Sequence, residues 1–238
     1  MKKLHSKKML ALMLAMITSL ILFTACVDRP ASSSSQPADS QSASQPTARL
    51  DDVNINLGND LQITDIGGYT GIYMEDGTDE VVSGVLMMVV TNTGDTTVQY
   101  ASITMPAGDA DAKFELTTLP AGKSVVLLEK NRMAYDKNYA YTTAIAENTA
   151  FFPQEPSLME DKLKLQILDG AINVTNISGE DISGEIVIYY KNSATDLYYG
   201  GITYRSRITG GIAAGEIRQV MGGHLSQSGT AVMFVTIG

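Results

Sequence analysis

Tryptophan is absent from the 238 residues, cysteine occurs once and histidine twice. A single cysteine excludes an internal disulfide framework and any cysteine-rich metal site. His5 lies among the first residues, which leaves His224 as the only histidine of the body. A multi-histidine metal site is thereby excluded, and a His-based triad would have to run through His224. Basic residues are in the minority, 17 Lys and Arg against 26 Asp and Glu, and a net charge of -9 argues against nucleic acid as a partner. No P-loop, no glycine-rich dinucleotide fingerprint and no HExxH motif is present. Helical periodicity is missing as well, so an all-β chain is expected.

What is present begins with an address. Lys2, Lys3, Lys7 and Lys8 precede an uncharged apolar run from Met9 to Phe23, the layout of a secretory signal peptide over residues 1–25. At about 15 residues the run is short for a membrane span, which needs roughly 20. It ends in Phe23-Thr24-Ala25-Cys26. This resembles a bacterial lipobox, and the resemblance implies a diacylglyceryl thioether on Cys26 and cleavage between Ala25 and Cys26. The expected location is the extracytoplasmic face of the cell membrane, with the lipid on Cys26 as the membrane contact. Residues 1–25 carry four of the basic residues and no acidic one, leaving 13 basic against 26 acidic residues, a net of -13. An anionic bilayer repels such a body, so the lipid has to hold it there.

Residues 26–49 are rich in Ser, Ala, Gln and Pro, as in Ser32-Ser33-Ser34-Ser35-Gln36-Pro37. They offer too little apolar surface to offset the entropy of ordering and are expected to be a disordered tether. As a flexible coil it reaches roughly 25 Å. Beyond it, Leu163, Leu165 and Ile167 alternate with Lys162, Lys164 and Gln166, the period of a half-buried strand. Ile202, Tyr204 and Ile208 do the same against Thr203, Arg205 and Arg207. Val85 to Val90 and Ile186 to Tyr190 are short apolar runs of strand length. Turn signals at Thr93-Gly94-Asp95, Pro106-Ala107-Gly108-Asp109, Pro120-Ala121-Gly122 and Ser178-Gly179-Glu180 separate them. Short strands at this spacing point to antiparallel β-sandwiches.

The pattern occurs twice. Val90-Thr91-Asn92-Thr93-Gly94-Asp95 returns as Val174-Thr175-Asn176-Ile177-Ser178-Gly179-Glu180, and Leu119-Pro120-Ala121-Gly122-Lys123 returns in the same order as Ile212-Ala213-Ala214-Gly215-Glu216. A divergent duplication follows, with one sandwich expected over residues 50–153 and a second over 154–238. Pro153 and Pro156 mark the join.

The strings Asn176-Ile177-Ser178-Gly179-Glu180-Asp181-Ile182, Ile188-Tyr189-Tyr190-Lys191-Asn192 and Tyr199-Gly200-Gly201-Ile202-Thr203-Tyr204-Arg205 resemble surface lipoproteins of Gram-positive Clostridia. They are similar, more distantly, to the immunoglobulin-like FxLYD-type domains of bacterial envelope proteins. The resemblance implies tandem Ig-like sandwiches at the cell surface and no catalytic residues.

Two patches stand out. Glu75, Asp76, Asp79 and Glu80 surround Gly77 and offer oxygen ligands for calcium, or else form a solvated hairpin loop, the simpler reading. Tyr189, Tyr198, Tyr199 and Tyr204 crowd two neighbouring strands with Arg205 and Arg207 beside them. They form a candidate binding face for an envelope protein or glycan, with the arginines gripping a carboxylate; the simpler alternative is that they fill the core and shade the sheet. His224 follows Gly222-Gly223 without a marked partner. No catalytic residue is assigned and no cofactor is required, calcium being the one candidate. The reading is a monomeric, non-enzymatic binding module of the envelope. An envelope hydrolase with a carboxylate pair and a solute-binding lipoprotein are the alternatives.

Overall fold

The computed structural model describes residues 47–238, and within them the regular structure is all strand. The signal peptide, Cys26 and the tether up to residue 46 lie outside the described residues. The first half contributes β1 (Thr47–Gly58), β2 (Leu61–Ile72), β3 (Val81–Asn92), β4 (Val98–Ala107), β5 (Ala110–Leu119), β6 (Ser124–Leu128) and β7 (Ile145–Phe151). The second contributes β8 (Leu163–Leu168), β9 (Ala171–Asn176), β10 (Ile186–Ala194), β11 (Leu197–Ile208), β12 (Ile217–Met221) and β13 (Thr230–Ile237). The four turn signals fall between strands, where glycines at positions 108, 122 and 179 adopt positive φ.

The halves repeat one strand plan. In the first, β2-β3-β6 face β5-β4-β7; in the second, β8-β9-β12 face β11-β10-β13. Corresponding neighbours pair antiparallel in both. The duplicated motif supplies the clamp that makes this plan possible twice. Asn92, fully buried, donates from Nδ2 to the carbonyls of Thr96 (2.9 Å) and Leu119 (3.0 Å), while its Oδ1 accepts from the Gly94 N–H (3.0 Å). Asn176, equally buried, donates to the carbonyls of Glu180 (2.7 Å) and Ile212 (3.0 Å) and accepts from the Ser178 N–H (3.0 Å). The Gly122 and Gly215 N–H groups return bonds to the Asn92 and Asn176 carbonyls. In each half one amide therefore ties the turn after its strand to the turn that leads into the neighbouring strand of the same sheet, β6 or β12.

Each half has its own core. Leu61, Ile63, Leu86, Met88, Ile103, Phe114 and Leu127 fill the first, and Leu163, Ile172, Val174, Ile186, Ile188 and Tyr190 the second. Burial of each such side chain stabilises by about 1.5–3 kcal/mol. The two halves are nevertheless not separate sheets. Leu197–Tyr199 of β11 pair in parallel with Ser124–Val126 of β6, which joins both halves in a seven-stranded sheet, β1-β2-β3-β6-β11-β10-β13. Tyr189 and Tyr190, consecutive on β10, show how the remaining strands are laid out. Tyr190 enters the second core, whereas Tyr189 shares a groove with Thr117 and Thr118 at the end of β5. The first half's small sheet, whose β5 packs against β11, thus borders the face of β10 that the second core leaves free.

Candidate functional site

The free face of β10 carries the groove. Tyr189 pairs with Arg205 on one side and Phe234 on the other, and its ring stacks on Phe234 at 4.2 Å with an interplanar angle of 12°. Phe152 then meets Phe234 edge-on at 5.3 Å. These three rings, with Arg205, Ile202 and Thr203 of β11 and Thr117 and Thr118 of β5, line an open groove of about 600 Å³. The aromatic side chains are half-buried and Arg205 is exposed. An aromatic ladder ending in an unencumbered guanidinium suits a ligand with a flat or apolar body and a carboxylate.

The structure distributes the other tyrosines and Arg207 elsewhere. Tyr198 packs against the first core and Tyr199 lies beside Met87 and Val126 on the other face of the large sheet. Tyr204 stacks on Tyr190 (5.7 Å) at the second core, and burial pushes its hydroxyl well above the ordinary tyrosine value. Arg207 is engaged by Glu185 at 3.6 Å. The single tyrosine face expected from composition is corrected accordingly: alternate side chains of a strand point to opposite faces, and β11 is irregular at Gly200–Thr203, where the register against β10 slips between Tyr190 and Asn192. Of the expected set, Tyr189 and Arg205 stay together. Phe152 and Phe234 come to the groove unannounced; Phe152 stands beside the proline join, and its only sequence signal is that two aromatics flank that break.

The acidic stretch is also pulled apart. Arg132 takes Asp76 (3.0 Å) and Glu80 (2.7 Å) while lying 4.6 Å over the Tyr73 ring. Hydrogen bonds from Thr78, then Arg132, hold the Asp76 carboxyl below its ordinary value. Asp79 reaches His224 Nδ1 at 3.3 Å, and His224 stacks on Tyr204 at 4.1 Å. No group of three or more metal-ligating side chains converges among the described residues. Arg132 already occupies Asp76 and Glu80 and His224 meets Asp79, so the four carboxylates offered for calcium do not form one site.

The fourth of them, Glu75, is half-buried at the junction of the halves. Its Oε1 accepts from the Leu128 N–H (2.9 Å) and its Oε2 from the Gly201 N–H (2.8 Å). Lys191, without solvent exposure, donates to the carbonyls of Gly200 (2.9 Å), Gly201 (3.0 Å) and Ile202 (2.8 Å). Desolvation raises the Glu75 carboxyl and lowers the Lys191 ammonium from their ordinary values. Neither opens on the groove, whose lining holds no Asp, Glu or His.

No family model, curated protein or solved structure matches this chain. The site is therefore read from its own chemistry.

Proposed function

We propose that the chain is a lipid-anchored, extracytoplasmic surface protein of a bacterium that acts as a non-enzymatic binding module of the cell envelope. Its two six-stranded units are read as immunoglobulin-like sandwiches, and the membrane contact is the lipid on Cys26. The observation that carries the binding role is the Phe152–Phe234–Tyr189 ladder beside Arg205. A groove between two packed units is a common place for a ligand, and here both halves contribute to its wall. Aromatic rings supply contact area at little entropic cost, and the guanidinium selects a carboxylate, as borne by acidic envelope glycans and by proteins. The lack of an acid or histidine in the lining supports binding over hydrolysis.

The test is in-cell photocrosslinking with a photoreactive residue in place of Tyr189, and with a Cys26→Ala chain as the unanchored control. A recurring adduct from anchored protein, lost in the control and lost with Arg205→Glu, is expected. Adducts indifferent to both changes, or none from demonstrably anchored protein, would remove the groove from the function.

A further inference from the structure

The repeated strand plan makes the two halves comparable position by position, and one difference remains. Leu61 and Ile63 of β2 stand opposite Asn92 and Val90; Leu163 and Leu165 of β8 stand opposite Asn176 and Val174. β2 and β8 are thus equivalent edges of their small sandwiches. On β2 that edge is covered by β1, whose Ile55 pairs with Ile63 and whose Val53, Ile55 and Leu57 pack into the first core, with β1 also lying against β7. Among the described residues β8 has no such neighbour: it is the outer strand of β12-β9-β8. The consequence shows in burial. Ile63 is completely buried, whereas its equivalent Leu165 is only half-buried.

Where β1 would lie, the second half has a cleft of about 440 Å³ between β8 and β13, walled by the apolar Leu158, Leu163, Leu165, Ile167, Ile177 and Val232 and by the exposed Glu160 and Lys164. The chain's own preceding segment does not fill it. Pro153 and Pro156 cannot donate to a ladder, and the segment bonds elsewhere, Glu155 to Thr97 and the Ser157 carbonyl to the Val235 N–H.

We propose that the β8 edge is a strand-addition site for an extended segment of a partner polypeptide, bound antiparallel as β1 is bound to β2. The equivalence with β1 specifies the occupant. It carries apolar side chains at alternate positions, one of them opposite Leu165 as Ile55 is opposite Ile63. Asn56 stands opposite Gln62 in the first half, and the position equivalent to Gln62 is the exposed Lys164. The occupant therefore carries an acidic residue there. Main-chain bonds give the affinity and the alternate pockets the selectivity. This surface is separate from the Tyr189 groove and does not depend on it.

The probes are two synthetic peptides of the β1 sequence, Thr47 to Gly58, one with Asn56→Asp and one with Asn56→Lys. Each is titrated into the isotopically labelled full-length chain carrying Cys26→Ala. The Asp peptide is expected to bind about fivefold tighter than the Lys peptide, to shift resonances of Leu163–Leu168 and Val232, and to lose binding when Ile55 is replaced by proline. Lys164→Glu, an exposed change that leaves the fold intact, should reverse the order of the two peptides. Shifts confined to β2 would mean exchange with β1 and would overturn the proposal. So would an absence of binding, an order indifferent to Lys164→Glu, or a concentration-dependent dimer in which β8 is shielded without peptide.

Discussion

Glu75 and Lys191 grip the same peptide unit from opposite sides: the carboxylate accepts the Gly201 N–H and the ammonium donates to the Gly200 carbonyl. One side chain comes from the loop after β2 and the other from β10, so a charge from each half is spent on the backbone of β11. Lys191→Met would leave three carbonyls without their donor and Glu75 without its counter-charge. A loss of about 3–5 kcal/mol is expected from urea unfolding. Adding Glu75→Gln to Lys191→Met should cost less than the sum of the single changes. A strictly additive cycle would show that the two charges are not coupled.

The same pair shapes the pH dependence. Folding raises the Glu75 carboxyl above its ordinary 4.5, so above that value the folded state keeps a proton the unfolded chain has lost, and stability falls as pH rises toward the folded value. Folding lowers Lys191 from 10.5; between its folded value and 10.5 the unfolded chain holds the extra proton, and stability rises with pH. A minimum of stability near neutrality is expected, with Glu75→Gln removing the acid-side slope and, because Glu75 holds the Lys191 ammonium up, extending the base-side rise to lower pH. A curve with no such minimum, or one that Glu75→Gln leaves intact, would contradict the account.

Gly201 is where β5 presses on β11. A Cβ there would stand 1.8 Å from the Glu115 carbonyl oxygen, and backbone has no rotamer by which to yield. Gly201→Ala should destabilise by about 3 kcal/mol or prevent folding. Gly200→Ala faces a positive φ of 84° and the Met74 side chain, and should cost less, about 1–2 kcal/mol. Equal costs would argue against the backbone contact.

Asn92→Ala and Asn176→Ala each strand one buried carbonyl, one part-buried carbonyl and one turn N–H. Each should cost about 2–3 kcal/mol and speed amide exchange at the turn it holds, Gly94 in the first half and Ser178 in the second. Exchange unchanged at those amides would show that the clamp is not what fixes the turns.

Calcium is expected to leave the melting temperature unchanged, because Arg132 occupies Asp76 and Glu80 and His224 meets Asp79. A melting temperature that rises with calcium and falls back with chelator would reopen the site.

Much of this was legible in one dimension. The all-β class, the turns and the duplicated Asn-bearing motif follow from local chemistry: period-two alternation makes strands, glycine takes positive φ, and a buried amide must satisfy its bonds wherever its motif recurs. Tyr189 and Arg205 were legible as a candidate face, but the company they keep was not. Phe234 reaches Tyr189 through a neighbouring strand and Phe152 through the join, and Tyr198, Tyr199 and Tyr204 were removed by alternation and by an irregular stretch of β11. Only the tertiary structure decided that β6 and β11 fuse the halves into one sheet, that Glu75 would share the Gly200–Gly201 peptide with Lys191 rather than take a metal ion, and that β8 would stand open where β2 is covered. Each of these depends on which strands become neighbours and in what register, and a register is fixed by contacts between residues far apart in the chain, where local pattern carries no information.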